Sequence, residues 1–235
     1  MKYNKEHKLK VFTAFSGYDS QLLALKRLNA NYPDFDFECV GWSEIDESAC
    51  CAHDALFPEI KDKNFGDITK IDWSKVPDFD LFTYSFPCQD ISNAGIQRGF
   101  SKNSGTRSSL LWECEKVIEA KHPKYLLMEN VKALVQQKFL PHYYEWLHLL
   151  ESYGYENYWK VLNATQFNIP QNRERVFCIS IHIDEQEQDP RYHFPEPFPL
   201  EKRLKDVLDE EVDESFFLRE EMLSRFCEKS IENEQ

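Results

Sequence analysis

Four groups of residues in this chain have the types and spacing to do chemistry. Cys88 sits in Ser85-Phe86-Pro87-Cys88-Gln89, Glu129 precedes Asn130, Arg173 and Arg175 follow Gln171, and Glu44 and Asp46 follow Gly41-Trp42-Ser43. A thiolate is the strongest nucleophile among these; a free thiol has a pKa of about 8.5, which nearby cations lower. Arg173 and Arg175 are two residues apart, so in extended backbone both side chains point the same way. The seven cysteines are scattered and none has zinc-ligand spacing, so no metal site is expected. Their odd number in a chain of 235 residues also argues against a disulfide framework and for reduced thiols in a cytoplasmic protein. Taken singly, each group has a plainer reading. A cysteine is usually a small apolar core residue, an acid after a strand is a cap or a solvated group, and an arginine pair feeds surface salt bridges.

The elements that must position these groups are legible in the apolar pattern. Strands are expected at Lys8 to Phe15, Phe37 to Ser43, Phe79 to Tyr84, Tyr125 to Met128, Tyr158 to Leu162 and Val176 to Ile183. Helical periodicity falls at Gln21 to Leu28, Glu47 to Ala55, Ser108 to Lys121 and Leu140 to Tyr153. This alternation over residues 8 to 183 predicts an α/β fold, a mostly parallel sheet with helices on both faces. In such a sheet, ligands bind at the carboxyl ends of the strands. Phe15-Ser16-Gly17-Tyr18-Asp19, Glu44, Ser85 to Gln89 and Glu129-Asn130 all follow strands, so they converge on one edge. Prolines at 190, 195, 197 and 199 then break the pattern. The expected organisation is a core of residues 1–183, then a linker and acidic appendage at 184–235, amphipathic around Leu200 to Phe226.

The net charge of −13 is unusual for a partner of nucleic acid, but its distribution is uneven. Residues 184 to 235 carry 17 acids and 7 bases, while residues 1 to 183 carry 24 and 21. No acid lies between Asp90 and Glu113, a stretch that holds Arg98, Lys102 and Arg107 with Gly95, Gly99 and Gly105. That composition suits a mobile loop whose cations contact phosphate. No apolar run approaches the roughly 18–20 residues of a membrane span. Met1 to Lys10 lacks the apolar stretch of a secretory signal.

In their order along the chain, these segments resemble the DNA cytosine-5 methyltransferases. The resemblance rests on VFTAFSGYDS, GWSEID, FGDIT, SFPCQDIS, GTRSSLL, LLMENVKAL and NATQFNIPQNRERVF, spanning about residues 10 to 181. It implies a Rossmann-like S-adenosylmethionine-dependent methyltransferase fold and methyl transfer to C5 of a cytosine in double-stranded DNA. The cofactor would leave as S-adenosylhomocysteine, and no metal would be needed. Cys88 would attack C6 of the base and Glu129 would hold or protonate N3. Arg175 would face the base and the Cys88 region, and Arg173 would assist it or bind backbone. For the cofactor, the resemblance assigns Phe15, Ser16, Gly17 and Tyr18 to its methionine and adenine side, Glu44 to the ribose hydroxyls and Ile45 to the adenine face. Asp67, with Ile68 beside it, would accept from the adenine amino group, and Pro87 and Leu110 would line the pocket near the methyl donor. A base inside a duplex is out of reach, so it must be flipped into the site, with the segment from Ile91 to Trp112 closing over it.

Two features depart from the family pattern. The first motif usually reads Phe-x-Gly-x-Gly, and here Asp19 takes the second Gly position; its carboxylate is expected to pair with the ammonium of the cofactor. The family's target-recognition region follows the Gln-x-Arg-x-Arg segment, and no basic, recognition-like stretch follows it here. The resemblance implies a restriction-modification or phage/host DNA-protection role, and a second polypeptide is a candidate source of recognition. The alternatives are a truncated or split-enzyme subunit that binds cofactor or partner without turnover, and a tRNA cytosine-5 methyltransferase. An NAD-dependent Rossmann enzyme would explain Glu44 but not Pro87-Cys88-Gln89, Glu129-Asn130 or Gln171 to Arg175.

Overall fold

The structure, a computed structural model, describes residues 2–92, 95, 97–185 and 192–224. Six strands form one sheet: β1 (Leu9–Ala14), β2 (Phe37–Ser43), β3 (Leu81–Tyr84), β4 (Tyr125–Val131), β5 (Tyr155–Asn163) and β6 (Glu174–His182). Their order is β2-β1-β3-β4-β6-β5. The pairs β1–β2, β1–β3 and β3–β4 are parallel, and β6 lies antiparallel between β4 and β5. The helices are α1 (Ser20–Asn31), α2 (Glu47–Leu56), α3 (Glu113–Lys121) and α4 (Leu140–Ser152).

Strand alternation divides the apolar residues between two layers. Phe12 and Ala14 of β1, with Phe82, Tyr84, Leu126, Met128, Val176 and Cys178, pack against α3 and α4 in the largest cluster. Leu9 and Val11 point the opposite way, toward Phe35 and Leu25 of α1. Leu22 of α1 packs with Cys39, Trp42, Phe57 and Ile60 on that same side. Helices therefore cover both faces, as the apolar pattern predicts. Gly41 lets β2 approach the layer beneath it, because a Cβ there would stand 2.6 Å from the Phe65 ring and 2.8 Å from that of Phe12.

Three local expectations are corrected. Between β5 and β6 stands only a short 3₁₀ turn, Ala164–Gln166, so this part is an antiparallel pair rather than a βαβ unit. The segment expected to start a helix at Ser108 is 3₁₀ over Arg107–Trp112 before α3 begins. Strand β4 runs on to Val131, so Glu129 and Asn130 lie within it. Its parallel partner stops at the Tyr84–Met128 pair, and β6 alone supports the extension, opposite Phe177 and Val176.

The segment from Ile91 to Trp112 is anchored as well as exposed: Ile91, Phe100 and Leu111 are fully buried in the main core. None of residues 192–224 is buried, and Phe216 and Phe217 are well exposed. Among the described residues, no helix is long and apolar enough to cross a membrane.

Phe12 sits at the centre of this packing, 0% exposed, with the rings of Trp73, Phe79, Phe65 and Phe82 at centroid distances of 5.3 to 6.3 Å. Phe12→Ala is expected to lower unfolding stability by about 3–5 kcal/mol, read as a fall in the urea midpoint at unchanged slope.

Candidate active site

At the switch point between β1 and β3 the connections leave in opposite directions and open a crevice beyond the strand ends. A cavity of about 420 Å³ occupies it, within the range typical of small-molecule sites. Phe15, Glu44, Ile45, Asp67, Ile68, Pro87 and Leu110 line it, together with Cys88, Glu129, Arg173 and Arg175. Ser16, Gly17 and Tyr18 instead line an adjoining groove of about 790 Å³ that shares Phe15, Ser85, Glu129 and both arginines with the first cavity. All fourteen residues singled out from the sequence thus border one continuous region.

The turn after β1 is sharply kinked, with left-handed φ of 54° at Phe15, 57° at Gly17 and 61° at Asp19. A Cβ on Gly17 would meet nothing within 4 Å, so this backbone borders open space. The Gly17 amide donates to Glu44 Oε2 at 3.0 Å, and the amides of Ile45 and Asp46 donate to Glu44 Oε1 at 2.7 and 2.9 Å. Three amides hold the carboxylate at the end of β2, and its unused lone pairs remain to accept from a diol. Asp67 Oδ1 accepts from the Thr69 hydroxyl and amide at 2.8 and 3.0 Å, bonds that, with the hydroxyl first, hold its carboxyl below the ordinary range. A nucleoside with a vicinal diol and an adenine fits this donor and acceptor set. Its ribose would lie toward Glu44 and its base toward Ile45 and Asp67.

Asp19 does not face the cavity. It is 1% exposed, with Oδ1 capping α1 through the Leu22 amide at 3.0 Å and Oδ2 accepting from Thr13 Oγ1 at 2.6 Å. His53 Nε2 stands 3.7 Å from Oδ2, its ring stacked on Trp42. The expected pairing with a cofactor ammonium is corrected: helix capping and the Thr13 hydroxyl turn this carboxylate inward.

The cysteines separate by environment. Burial pushes the Cys39 thiol up to about 12 and raises Cys114 and Cys178 also. Cys88 is only half-buried and borders the cavity. Asn130 Nδ2 donates to the Phe86 carbonyl at 2.9 Å and so ties the end of β4 to the backbone before Cys88. Gln21 Nε2 donates to Ser85 Oγ at 2.9 Å from the first turn of α1.

Across the crevice, Arg175 Nε pairs with Glu129 Oε1 at 3.1 Å, both side chains about a fifth exposed. Glu129 stands opposite Phe177, two residues beyond Arg175 on β6, so this is a diagonal cross-strand contact. A thiol, a carboxylate and a guanidinium therefore converge on one cavity. Together they can add a nucleophile to an electron-poor ring, hold a ring nitrogen and balance charge.

The cations of the acid-free segment are engaged within the protein. Arg98 Nε pairs with Asp90 Oδ1 at 2.8 Å, Lys102 Nζ with Glu115 Oε2 at 2.5 Å, and Arg107 donates to Gln89 Oε1 at 3.3 Å. The Arg98 guanidinium holds the Asp90 carboxyl below its ordinary value, so the pair is intact at neutral pH and is lost as pH falls through that lowered value. Sequence reasoning missed Asp90 and Ser108. The only signal was that Asp90 is the last acid before a long acid-free stretch.

Residues 9–235 match the family model of the C-5 cytosine-specific DNA methylases. The Type II methyltransferase M2.ScrFI of Lactococcus lactis subsp. cremoris is 43% identical over 92% of this chain and 72% of its own length. The orphan methyltransferase M.Rho11sI of Bacillus phage rho11s is 31% identical over 94% of this chain, which spans only 48% of that relative. The orphan methyltransferase M.SssI of Spiroplasma monobiae is 45% identical over 57% of this chain and 36% of its own length. The solved Dnmt2 methyltransferase of S. pombe superposes with a TM-score of 0.68 at 21% identity, covering 94% of this chain and 66% of that one, a likeness of fold. Membership in a methyltransferase family implies use of S-adenosylmethionine. A sheet whose strand ends gather the motif residues, and a family model that matches nearly every residue, lead to the same conclusion: the chain belongs to the C-5 cytosine-specific DNA methylases.

Proposed function

We propose that this chain transfers a methyl group from S-adenosylmethionine to C5 of a cytosine flipped out of double-stranded DNA, through a covalent adduct with Cys88. The observation that carries this reading is the single cavity shared by Cys88, Glu129 and the Arg175 that pairs with Glu129. Phe15, Ser16, Gly17, Tyr18, Glu44, Ile45, Asp67, Ile68, Pro87 and Leu110 would hold the cofactor. When bound, that cofactor supplies an electrophilic methyl group.

The residues of this chain do the rest. The Cys88 thiolate adds to C6 of the base, and Glu129, oriented by Arg175, holds the proton at N3 so that negative charge does not accumulate on the ring. C5 becomes enamine-like and takes the methyl group. Loss of the C5 proton then expels Cys88 as thiolate and restores the ring. Arg173, at the same rim, faces the base or the DNA backbone.

The setting we propose is cytoplasmic restriction-modification or DNA protection, in line with relatives named as Type II and phage orphan methyltransferases. Residues 1–183 would form the chemical module, with 184–235 as an appendage. A second polypeptide would supply target recognition. The groove beside the site supports such a partner: Leu81, Leu127, Leu162 and Phe177 line it and are only partly buried.

Cys88→Ser is expected to abolish methyl transfer to mixed-sequence DNA, and the wild-type chain to form a stable adduct on DNA carrying 5-fluorocytosine. Transfer that survives the substitution would sink the mechanism. Glu44→Ala, losing an anionic acceptor for the diol, is expected to weaken S-adenosylhomocysteine binding about 10- to 100-fold, measured by calorimetry. Unchanged affinity would remove Glu44 from the cofactor site.

A further inference from the structure

The backbone around Cys88 is pinned by a residue from the far end of the acid-free segment. Ser108 is 0% exposed. Its hydroxyl donates to the Pro87 carbonyl at 2.6 Å and accepts from the Asp90 amide at 3.1 Å. One side chain therefore grips the chain on both sides of Cys88, just before it and two residues after. The contact is returned, since the Ser108 amide donates to Asp90 Oδ2 at 3.3 Å. Asp90, 2% exposed, uses its other carboxylate oxygen to hold Arg98 Nε at 2.8 Å. Its carbonyl accepts from the Gly99 amide at 2.8 Å, and the Gly99 carbonyl accepts from Thr106 Oγ1 at 2.8 Å.

The segment that leaves the site after Asp90 and returns at Ser108 is thus closed at its base by a buried clasp. Buried polar groups that lose a partner are costly, so the clasp has a strong preference for one arrangement. That arrangement sets where Cys88 stands.

We infer that Ser108, locked to Asp90, is a positioning residue for the nucleophile, and that it ties the Cys88 backbone to the cation-bearing segment. The inference rests on the reading of Cys88 as the attacking thiol. Attack requires approach within about 3–3.5 Å, and a misplacement of about 1 Å costs on the order of 100-fold in rate. Because Arg98 is bonded to the same carboxylate that holds Ser108, the placement of Arg98 and that of the Cys88 turn are coupled.

The test uses the full chain, purified with any polypeptide that accompanies it, and follows adduct formation on duplex DNA carrying 5-fluorocytosine. Ser108→Ala is expected to slow adduct formation about 10- to 100-fold, while the affinity for S-adenosylhomocysteine stays within about threefold, below a tenfold shift of 1.4 kcal/mol. Ser108→Thr, which restores the hydroxyl, is expected to recover most of the rate. Hydrogen exchange should show the Asp90 amide losing protection in Ser108→Ala. Adduct formation at the wild-type rate in Ser108→Ala overturns the inference. So does a cofactor affinity that falls in step with the adduct rate, which would signal general loosening. If the wild-type chain forms no adduct, the Cys88 reading itself fails, and the inference falls with it. Should Ser108→Ala not fold, Asp90→Asn is read in the same way, with a loss of about three- to tenfold expected from the weakened charge-assisted bonds and no loss overturning the inference.

Discussion

The hydrogen-bonded ladder of β2, β1, β3 and β4 underlies every feature of the site. Backbone donors and acceptors inside a protein must be paired, and a parallel ladder pairs them only if all four strands run the same way. Their carboxyl ends therefore emerge on one edge. The turn at Phe15 to Asp19, the Glu44 carboxylate, the Cys88 turn and Glu129 are neighbours for that reason, although over a hundred residues separate the first from the last. Strand β6 completes the arrangement by running in the opposite direction, so its beginning, not its end, reaches this edge. That brings Arg173 and Arg175 to the crevice, with Arg175 diagonal to Glu129.

Side-chain hydrogen bonds then turn proximity into geometry. Asn130 holds the Phe86 carbonyl, Ser108 holds the Pro87 carbonyl and the Asp90 amide, and Gln21 holds Ser85. Cys88 itself is left half-buried at the rim of the cavity. A thiol deeper in the core, such as Cys114, is kept protonated by burial.

The same logic explains how an acidic protein can carry a cationic segment. Arg98, Lys102 and Arg107 are each drawn to a partner near the base of that segment. These contacts hold it against the core beside the Phe100 anchor, 0% exposed. Asp19 makes a related point about cost. A carboxylate in the middle of a cofactor motif is tolerated because it caps α1 and binds Thr13, away from the cavity.

The α/β class and the order of most elements were readable from the chain, because alternation is a local property of a sequence, and the family resemblance singled out fourteen residues that border one region. Leu9, Val11 and Phe12 announce a strand whatever surrounds them, and Pro87-Cys88-Gln89 followed by Glu129-Asn130 and Arg173 to Arg175 carries the family resemblance by its order. Other features were decided only in three dimensions. Whether Asp19 faces the cofactor or the core depends on Thr13 and His53, which no spacing rule connects to it. The extension of β4 through Glu129 depends on an antiparallel partner some fifty residues later. The clasp of Ser108 on Asp90 joins two unremarkable polar residues, 18 positions apart, around Cys88. Periodicity reports which way a side chain points from its own backbone, but only tertiary packing decides which polar groups are left without water and must find each other.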